Sequence, residues 1–383
     1  MRIGLVIEQL DPRRGGVEQW TWHFAQWLLR ERHEVHVVAR GVANTVAQSG
    51  VIVQRIEASD SRTDFAERAA LQLRLLQLDV VHDTGCGWYS DIFQPHGGSR
   101  VASFEQNLFL TPHWLRGMKR TAVGWLPRYR EFDRLAARQY DDPRRIYLAI
   151  SRMVAADLQR YHHVRPEQVR IVYNGVDCER FSPAHRVLHR ARVRDELGVA
   201  DDETLCLIVA HNFRLKGVPT LIRATGHLVQ QGARVRLAIV GGRKFGEYRR
   251  LAKRVGCESA VSFLGSHDDP VPFYAAADVY VQPTFYDPCS LVVLEALASG
   301  LPTITSRFNG AGELITPNVE GSIVADPADD RELAEHLSRV LDASRRMEMG
   351  QAARELALDH TWERNCREIL NLYREISPLR QAA

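Results

Sequence analysis

Two acidic side chains and a predicted helix start lie close together in one segment of the chain, residues 278–313. Asp287 lies in a polar loop that follows a predicted strand, Val279–Gln282, and Glu295 follows eight residues later in a helix predicted over Leu291–Ser299. The first N–H groups of a helix are unpaired and lie at the positive end of its dipole, so they can bind phosphate. The pattern predicts a site for a diphosphate flanked by hydroxyl-rich groups, as in a nucleotide sugar.

Two cations follow another predicted strand, Leu205–Ala210. Arg214 and Lys216 lie in the loop that ends at Gly217. An arginine offers a planar fork and a lysine a point charge, and together they can neutralise a diphosphate. When a sugar–diphosphate bond breaks, charge develops on the departing phosphate, and preorganised cations stabilise that state more than the ground state.

The usual sequence patterns of other nucleotide sites are missing from the chain. Neither G-x-G-x-x-G in the first loop nor the P-loop pattern is present, which weakens a dehydrogenase or NTPase interpretation. No two aspartates are separated by a single residue, so an Asp-x-Asp metal site is not expected. We therefore predict no metal and no cofactor, with the leaving group neutralised by the cations and the helix N-terminus.

The first half begins with strand, loop, helix and strand. The strands are predicted over residues 2–8 and 34–39 and the helix over residues 17–30. Gly15 and Gly16 lie where the loop meets the helix, and glycine allows the backbone to approach a ligand closely. A simple tight turn is the alternative interpretation of this glycine pair.

His96 is a candidate ligand contact in the first half. It follows a predicted strand, Asp91–Gln94, and precedes two glycines. Open α/β sheets bind ligands at the carboxyl ends of their strands. A single histidine at a strand end is more often structural, but the glycines favour a site here.

Strands alternate with helices in both halves, which predicts an α/β fold of two Rossmann-like domains with parallel sheets facing a central cleft. A chain of 383 residues is also longer than one ordinary domain. We expect an N-terminal domain over residues 1–185, a C-terminal domain over 186–360, and a final helical segment, 361–383, that packs back on the N-terminal domain.

The composition is that of an ordinary globular protein, with 45% hydrophobic residues, 25% charged residues and a net charge of +3. This charge is too small to indicate nucleic-acid binding.

Six cysteines without C-x-x-C spacing argue against a zinc site or a disulfide framework and for a reducing compartment. The first residues are interpreted as a strand and not a signal peptide, and no apolar run is long enough to span a bilayer. A cytoplasmic, soluble or peripheral protein is expected.

Residues 108–140 combine aromatic and basic side chains on short predicted helices. Such segments bind anionic membrane surfaces or anionic acceptors. The alternative is a partly buried helical hairpin with a solvated basic face. The candidate membrane or acceptor residues are Trp114, Arg116, Lys119, Arg120, Trp125 and Arg128.

The run D-P-C-S-L-V-V-L-E-A-L-A-S-G-L-P, which begins at Asp287, resembles the E-x7-E motif of the retaining glycosyltransferases of family 4, which have the GT-B fold. The loop Val172–Asp177, the basic loop Phe213–Gly217 and the pair Gly15-Gly16 also resemble that family. The aromatic and basic insertion, together with His-Gly-Gly, is most similar to the lipopolysaccharide-core glucosyltransferases of the WaaG type.

The resemblance implies a role for each site residue. Glu295 would hold the ribose hydroxyls, and Asp287 the hydroxyls of the donor sugar, while Arg214 and Lys216 would bind the diphosphate. His96 would contact the sugar from the N-terminal domain. The expected catalytic residues are Asp287, Lys216, Arg214 and His96. The expected backbone contacts to the donor are at Gly15, Gly16, Cys289, Ser290 and Leu291.

The resemblance also implies a reaction: transfer of a sugar, expected to be glucose, from a UDP-sugar to a lipid- or lipopolysaccharide-linked saccharide, with retention of configuration. Retention by double displacement would need a carboxylate nucleophile, and both candidate acids have binding roles, so front-face substitution is expected. Asp287 departs from the family's usual Glu, which shortens the reach of the acid. The alternatives are a nucleotide-sugar epimerase of the same fold and a membrane scaffold that binds a nucleotide sugar without turnover; a phosphorylase would need pyridoxal phosphate on a lysine.

Overall fold

The computed structural model describes residues 1–381, and the chain divides into two units. The first unit comprises Met1–Tyr173 and the chain from Asn365 onward, and the second unit is Asn174–Arg364. Both units are built from parallel strands connected by helices.

The strands, in chain order, are β1 Arg2–Val6, β2 Gln9–Leu10, β3 Glu34–Ala39, β4 Gly41–Val42, β5 Ile52–Arg55, β6 Val80–Asp83, β7 Ile92–Phe93, β8 Ile146–Ala149, β9 Val169–Ile171, β10 Thr204–Val209, β11 Val235–Val240, β12 Val261–Gly265, β13 Val279–Gln282, β14 Thr303–Ser306 and β15 Gly321–Val324.

The α-helices are α1 Gly16–Arg30, α2 Asn44–Ala47, α3 Arg62–Leu75, α4 Arg100–Phe109, α5 His113–Gly124, α6 Pro127–Gln139, α7 Arg152–His162, α8 Arg186–Glu196, α9 Val218–Gln230, α10 Gly246–Arg254, α11 Val271–Ala276, α12 Leu291–Ala298, α13 Asp330–Arg339, α14 Ala343–Leu358 and α15 Trp362–Gln381. Short 3-10 helices span Pro166–Gln168, Pro183–His185, Glu258–Ala260 and Gly310–Leu314.

The sheet of the first unit has seven parallel strands in the order β5-β3-β1-β6-β7-β8-β9. Strand β1 lies inside this sheet, and four of its five residues are buried, as is usual in parallel sheets. Trp20, Phe24, Trp27 and Leu28 line one face of α1 at helical spacing and are buried. The strands β2 and β4 form a separate parallel pair.

The sheet of the second unit has six parallel strands in the order β12-β11-β10-β13-β14-β15. The order reverses direction between β10 and β13, which is where open α/β sheets place their ligands. Both strands are almost wholly buried, and Cys206, Ile208, Val279 and Val281 belong to one large core with residues of α9 and α13. The α/β architecture of two Rossmann-like layers predicted from the sequence is confirmed.

Most predicted elements are present with ends that differ by one or two residues, and β3 and β13 match the predicted ranges. The helix α3 was not predicted. Its apolar pattern is weak, since its buried face consists mainly of alanines, and its start depends on the Ser61 hydroxyl, which accepts a hydrogen bond from the Asp64 N–H.

The division between the units differs from the boundary that we predicted at residue 185. The structure places it between Tyr173 and Asn174, so the segment up to 185 belongs to the second unit. The Val176 N–H bonds the His360 carbonyl at 3.0 Å, and the Arg354 guanidinium donates to the carbonyl of Phe181 at 2.9 Å. These partners are far away in the sequence, so composition could not reveal them.

The final helix α15 begins in the second unit and continues into the first. In the first unit the Tyr373 hydroxyl lies 2.6 Å from His82 Nδ1, and the Trp20 indole N–H donates to the Asn365 side chain at 3.2 Å. His82 therefore has a structural contact with α15. None of the described helices is long and apolar enough to cross a membrane.

Asp278, at the entry to β13, connects α8 to the sheet of the second unit. Its carboxylate is buried and accepts from Arg190 at 2.6 Å, from Arg194 at 2.8 Å and from the Leu205 N–H at 2.8 Å. Burial would raise the pKa of Asp278, but these donors hold it below its ordinary value. The charged form of Asp278 is therefore the one that stabilises the fold.

We expect Asp278→Ala to lower the free energy of unfolding by about 3–5 kcal/mol, because it leaves the buried Arg194 charge without its partner. The loss should shrink in acid, since a carboxyl with a lowered pKa stabilises the fold only while it is ionised. Urea unfolding at pH 7 and at pH 3, below the ordinary pKa of an aspartate, measures both effects. The control Asp202→Ala removes an exposed pair with Arg234 and should cost less than about 1 kcal/mol; equal losses would contradict the assignment.

Candidate functional site

The candidate site of the second unit lies where the strands β10, β13 and β14 end. These strands are neighbours in a parallel sheet, so the loops that follow them meet at one edge. The three loops are residues 210–217, 283–290 and 307–309. They contain most of the donor-binding residues predicted from the sequence.

The loops after β10 and β13 are joined through their backbones. The Phe285 N–H donates to the Leu215 carbonyl at 2.8 Å, and the Thr284 hydroxyl donates to the same oxygen at 3.1 Å. Gly217 has a φ of +75°, and a Cβ there would lie 2.0 Å from the Pro283 carbonyl oxygen. Glycine is required at this position, because any side chain would force the two loops apart.

The loops after β13 and β14 are also joined. The Asp287 N–H donates to the Phe308 carbonyl at 2.9 Å, and the Gly310 N–H donates to the Asp287 carbonyl at 2.9 Å. The Ser306 hydroxyl donates to the Thr284 carbonyl. The backbone of Asp287 is therefore fixed on both sides, which orients its carboxylate.

Asn309 connects the start of α12 to this junction. Its Oδ1 accepts from the Ser290 N–H at 3.3 Å, and its Nδ2 donates to Thr305 Oγ1 at 3.0 Å and to Gln282 Oε1 at 3.2 Å. The Ser290 hydroxyl also donates to Gln282 Oε1, at 2.9 Å, and makes no capping bond to α12. We expected the Ser290 N–H to bind the donor, but in this structure Asn309 is its acceptor.

Cys289 is buried in front of α12. Its carbonyl accepts from Asn174 Nδ2 at 2.9 Å, and burial raises the pKa of its thiol to about 12. The thiol is therefore neutral at physiological pH and cannot act as a nucleophile. Leu291 is the first residue of α12.

Lys216 and Asp287 form an ion pair, with Nζ 2.6 Å from Oδ2. Their side chains are 21% and 12% exposed, so the pair is largely shielded but reachable from solvent. We expected Lys216 to bind the diphosphate and Asp287 the sugar separately. The structure brings the two charges together, which places a cation and an anion within one site.

Glu295 lies on α12, one to two turns after its start. The Tyr274 hydroxyl donates to Glu295 Oε2 at 2.9 Å. Burial raises the pKa of Glu295 to about 7, against the opposing effects of the Tyr274 hydrogen bond and the positive charge of Arg180. The carboxyl thus changes its charge near neutral pH, and a ligand that hydrogen-bonds to its ionised form would lower this pKa.

Of the remaining predicted contacts, Arg214 lies on one of the three site loops and the others lie in the first unit. Arg214 is exposed on the loop after β10. Gly15, Gly16 and His96 belong to the first unit. Gly15 has extended backbone, with a φ of −174°, which any residue adopts, so the protein by itself does not require glycine there.

His96 lines a pocket of 720 Å³ in the first unit. Its ring lies 4.5 Å from that of Trp20, and its Nε2 is buried with no hydrogen-bond partner among residues 1–381. Burial lowers the pKa of His96 to about 3, so the imidazole is neutral at pH 7. It can exchange a hydrogen bond with a hydroxyl but supplies no positive charge.

The aromatic and basic segment of the first unit includes α5, which has no buried residue. Trp114, Met118 and Trp125 are 69%, 68% and 72% exposed. Most of its basic side chains have local partners: Arg116 bonds the Thr111 carbonyl and Lys119 the Thr111 hydroxyl, while Arg120 pairs with Glu105 and Arg128 stacks on Tyr129. The partly buried hairpin considered as the alternative does not describe α5.

Sequence reasoning missed Tyr274, Gln282 and Asn309. Tyr274 lies on a short helix, α11, with no motif around it. Asn309 precedes Gly310, and an Asn-Gly pair is a turn signal, which could have drawn attention to the loop after β14. Among the described residues, no group of three or more His, Cys, Asp or Glu side chains is arranged to hold a metal ion.

Both halves of the chain match known protein families. Residues 14–180 match the family described as Glycosyltransferase Family 4, and residues 189–356 match Glycosyl transferases group 1. The two regions together cover most of the chain.

Relatives in sequence and in structure agree with these matches. The chain is 28% identical over 98% of both lengths to the uncharacterized glycosyltransferase MJ1607 of Methanocaldococcus jannaschii. It is 29% identical to the lipopolysaccharide glucosyltransferase WaaG of Escherichia coli, over 53% of this chain and 54% of WaaG, so this alignment spans about half of that relative.

Solved structures resemble the whole chain. A crystal structure of WaaG, a glycosyltransferase involved in lipopolysaccharide biosynthesis, has a TM-score of 0.78 at 20% identity and covers 97% of this chain and 99% of its own. Anabaena HepE in complex with UDP-glucose has a TM-score of 0.72 at 20% identity and covers 98% and 100%. Together with the two family matches, the paired Rossmann-like units show that this chain belongs to the glycosyltransferases of the GT-B fold.

Proposed function

We propose that the enzyme transfers a hexose, glucose, from a UDP-sugar to a saccharide carried by a lipid or a lipopolysaccharide, with retention of configuration and without a metal. The observation that carries this proposal is the placement of the Lys216–Asp287 pair and of Glu295 around the start of α12. The complex of HepE with UDP-glucose and the role of WaaG in lipopolysaccharide biosynthesis support the choice of donor and acceptor.

In this proposal the donor lies across the start of α12. Ionised Glu295 accepts hydrogen bonds from the ribose hydroxyls, and Tyr274 holds its carboxylate in place. Lys216 and Arg214 approach the diphosphate, and Asp287 accepts hydrogen bonds from the sugar hydroxyls. Lys216 then has two anionic partners, and its charge is shared between the carboxylate and the phosphate.

The charge of the departing UDP is neutralised by groups that are already in place. Lys216 is held by Asp287, whose backbone is fixed by Phe308 and Gly310, so little reorganisation is needed as the bond breaks. The helix N-terminus adds a positive potential at the same place. These interactions strengthen as charge develops on the phosphate, so they accelerate the reaction.

Retention follows from front-face substitution in this proposal. A double displacement needs a free carboxylate close to the anomeric carbon. Asp287 is paired with Lys216, and Glu295 is bonded to Tyr274. The leaving phosphate oxygen instead takes the proton of the acceptor hydroxyl, which attacks from the same face. The contacts of the donor with His96, Gly15 and Gly16 stay predictions.

We further propose that the first unit binds the cytoplasmic face of an anionic membrane. The exposed Trp114, Met118 and Trp125 provide apolar contacts, and Arg116, Lys119 and Arg128 supply positive charge around them. Because an exposed aromatic cluster is costly in water and favourable at a membrane interface, this surface fits a lipid-bound acceptor.

We expect Lys216→Ala to lower the rate of sugar transfer, or of the slow hydrolysis of the donor, by about 100-fold or more. The reason is that one charged hydrogen-bond donor to the leaving group is lost. The measurement uses a panel of UDP- and GDP-sugars, with thermal shifts reporting nucleotide binding. The exposed Lys253→Ala in α10 is the matched control and should behave like the parent. Equal activity of Lys216→Ala and the parent, or stabilisation by no nucleotide, would exclude this proposal; conversion to an epimeric nucleotide sugar would favour an epimerase.

We expect Glu295→Gln to stabilise the fold above pH 7 while it weakens UDP binding. The pKa of Glu295 is raised to about 7 in the folded protein, so the folded state keeps a proton that the unfolded state releases, and stability is lost as pH rises through 7. Urea unfolding at pH 5 and pH 8 should show a gain for Glu295→Gln at pH 8 only. UDP affinity at pH 8 should fall about tenfold or more, through loss of charge-assisted hydrogen bonds.

The control for this test is Glu258→Gln, at an exposed carboxylate of the same unit. It should change neither stability nor UDP affinity between the two pH values. A Glu295→Gln protein that binds UDP as tightly as the parent would contradict the assigned role of this residue.

We expect Trp114→Ala and Trp125→Ala to reduce sedimentation with vesicles that contain anionic lipid, because each removes a large exposed apolar side chain. Binding of the parent should fall as salt rises, since the basic side chains contribute about 1 kcal/mol each near the surface. The control Leu188→Ala changes a 70% exposed side chain of the second unit and should have no effect. Absence of parent binding at low salt would disprove the membrane proposal.

A further inference from the structure

Ser290 is the residue before α12, but its side chain does not cap this helix. Before three other helices a serine in the same position does so. The hydroxyls of Ser61, Ser99 and Ser151 each accept a hydrogen bond from the N–H three residues later. Such a cap satisfies one of the N–H groups that a helix start leaves unpaired. The corresponding N–H of α12 is that of Val293.

The backbone of Ser290 does not account for this difference. Ser290 has a φ of −66° and a ψ of 114°. The capping residues Ser61 and Ser99 have similar angles, −67° and 131° in one and −76° and 123° in the other. All three residues have the extended backbone that N-cap residues usually adopt. A rotation of the Ser290 side chain is therefore enough to cap α12, and the partner of its hydroxyl decides whether it does.

Gln282 is the residue that holds the Ser290 hydroxyl. It is the last residue of β13, and its side chain is buried. Its Oε1 accepts from the Ser290 hydroxyl at 2.9 Å and from Asn309 Nδ2 at 3.2 Å. Ser290 is also buried, so water does not replace Gln282 as the partner of its hydroxyl.

Asn309 keeps the oxygen of Gln282 directed at Ser290. Its Oδ1 accepts from the N–H groups of Ser290 at 3.3 Å and Ala311 at 3.1 Å. Its Nδ2 donates to Thr305 Oγ1 at 3.0 Å as well as to Gln282. Turning the Asn309 amide over would break all of these bonds, so Nδ2 stays directed at the Gln282 oxygen. The network offers an acceptor to the Ser290 hydroxyl and leaves the first turn of α12 uncapped.

The two possible positions of the Ser290 side chain are close in energy. A serine cap and a hydrogen bond to a neutral side chain contribute similar amounts to stability. The acceptor that Gln282 offers can therefore decide between them. A capped α12 would bind phosphate less well, because the Ser290 oxygen would occupy the Val293 N–H and direct its lone pairs toward the anion.

We propose that Gln282 is a positioning residue of the donor site, which keeps α12 uncapped so that its first N–H groups can bind the diphosphate of the donor. This inference rests on the proposed transfer from a UDP-sugar. Gln282 acts through Ser290 and not by contact with the donor. Its effect adds to that of the Lys216–Asp287 pair, which lies in the loops beside the same helix start.

The test is a double-variant cycle on the full-length protein, with UDP affinity measured by calorimetry. Gln282→Met keeps an unbranched side chain of similar size but offers no oxygen to the Ser290 hydroxyl. We expect it to weaken UDP binding about five- to tenfold, which corresponds to the strength of a serine cap. In a Ser290→Ala background no hydroxyl can cap α12, and adding Gln282→Met there should change the affinity by less than about twofold.

The Val293 amide gives a second readout, in protein without nucleotide. If Gln282→Met lets Ser290 cap α12, the exchange of the Val293 N–H with solvent, followed by NMR, should slow severalfold relative to the parent. The double variant should exchange as Ser290→Ala does, because neither has a capping hydroxyl.

Thr225→Val is the matched control. It removes another buried hydroxyl of the second unit, which donates to the Leu221 carbonyl at 2.9 Å within α9. It should leave UDP affinity and Val293 exchange as they are in the parent. If Gln282→Met does not fold, Gln282→Asn keeps a buried amide that is one methylene too short to reach Ser290, and it takes the same place in the cycle.

The inference is overturned if Gln282→Met costs the same affinity with and without the Ser290 hydroxyl, since the effect would then be a general disturbance of the loops. It is also overturned if Gln282→Met binds UDP as the parent does, or if Val293 exchange does not slow. Failure of the proposed function is a different result. The parent itself would then bind no UDP, and Gln282 would control a cap without serving a donor.

Discussion

The site of the second unit depends on one junction, in which the loops after β10, β13 and β14 are hydrogen-bonded to one another. Gly217 lies against the Pro283 carbonyl, and the backbone of Asp287 bonds on both sides to the loop after β14. Asn309 connects this junction to the start of α12. Parallel strands bring the loops to one edge, but these contacts determine where each charged side chain lies.

The two acids near this junction, Asp287 and Glu295, differ in their electrostatic surroundings. Asp287 is held against Lys216, so its charge is balanced before any ligand arrives. Glu295 is half-buried and accepts a hydrogen bond from the Tyr274 hydroxyl, and its loss of hydration raises its pKa to about 7. A carboxyl with a raised pKa lowers the stability of the folded protein once it ionises. Its presence at this edge is consistent with a site that binds hydroxyl groups of a ligand.

The first unit contains a different arrangement of charges. Arg62 and Arg100 begin helices, share one aromatic ring and lack acidic partners among the described residues. Arg100 is exposed, so water solvates its charge, whereas Lys216 and Asp287 in the second unit are paired with each other and largely shielded.

The sequence by itself determined the fold class, most strands and helices, and the segment around Asp287 and Glu295, because apolar periodicity, glycines and loop chemistry are local properties. The tertiary structure decided which of these residues meet. The Lys216–Asp287 pair joins positions 71 residues apart, and neither Tyr274 nor the Arg62–Phe132–Arg100 stack had a motif to reveal it. The unit boundary at residue 173, instead of 185, likewise depends on hydrogen bonds to residues near 360. Contacts between distant parts of a chain depend on how its layers pack, and local sequence patterns carry no information about them.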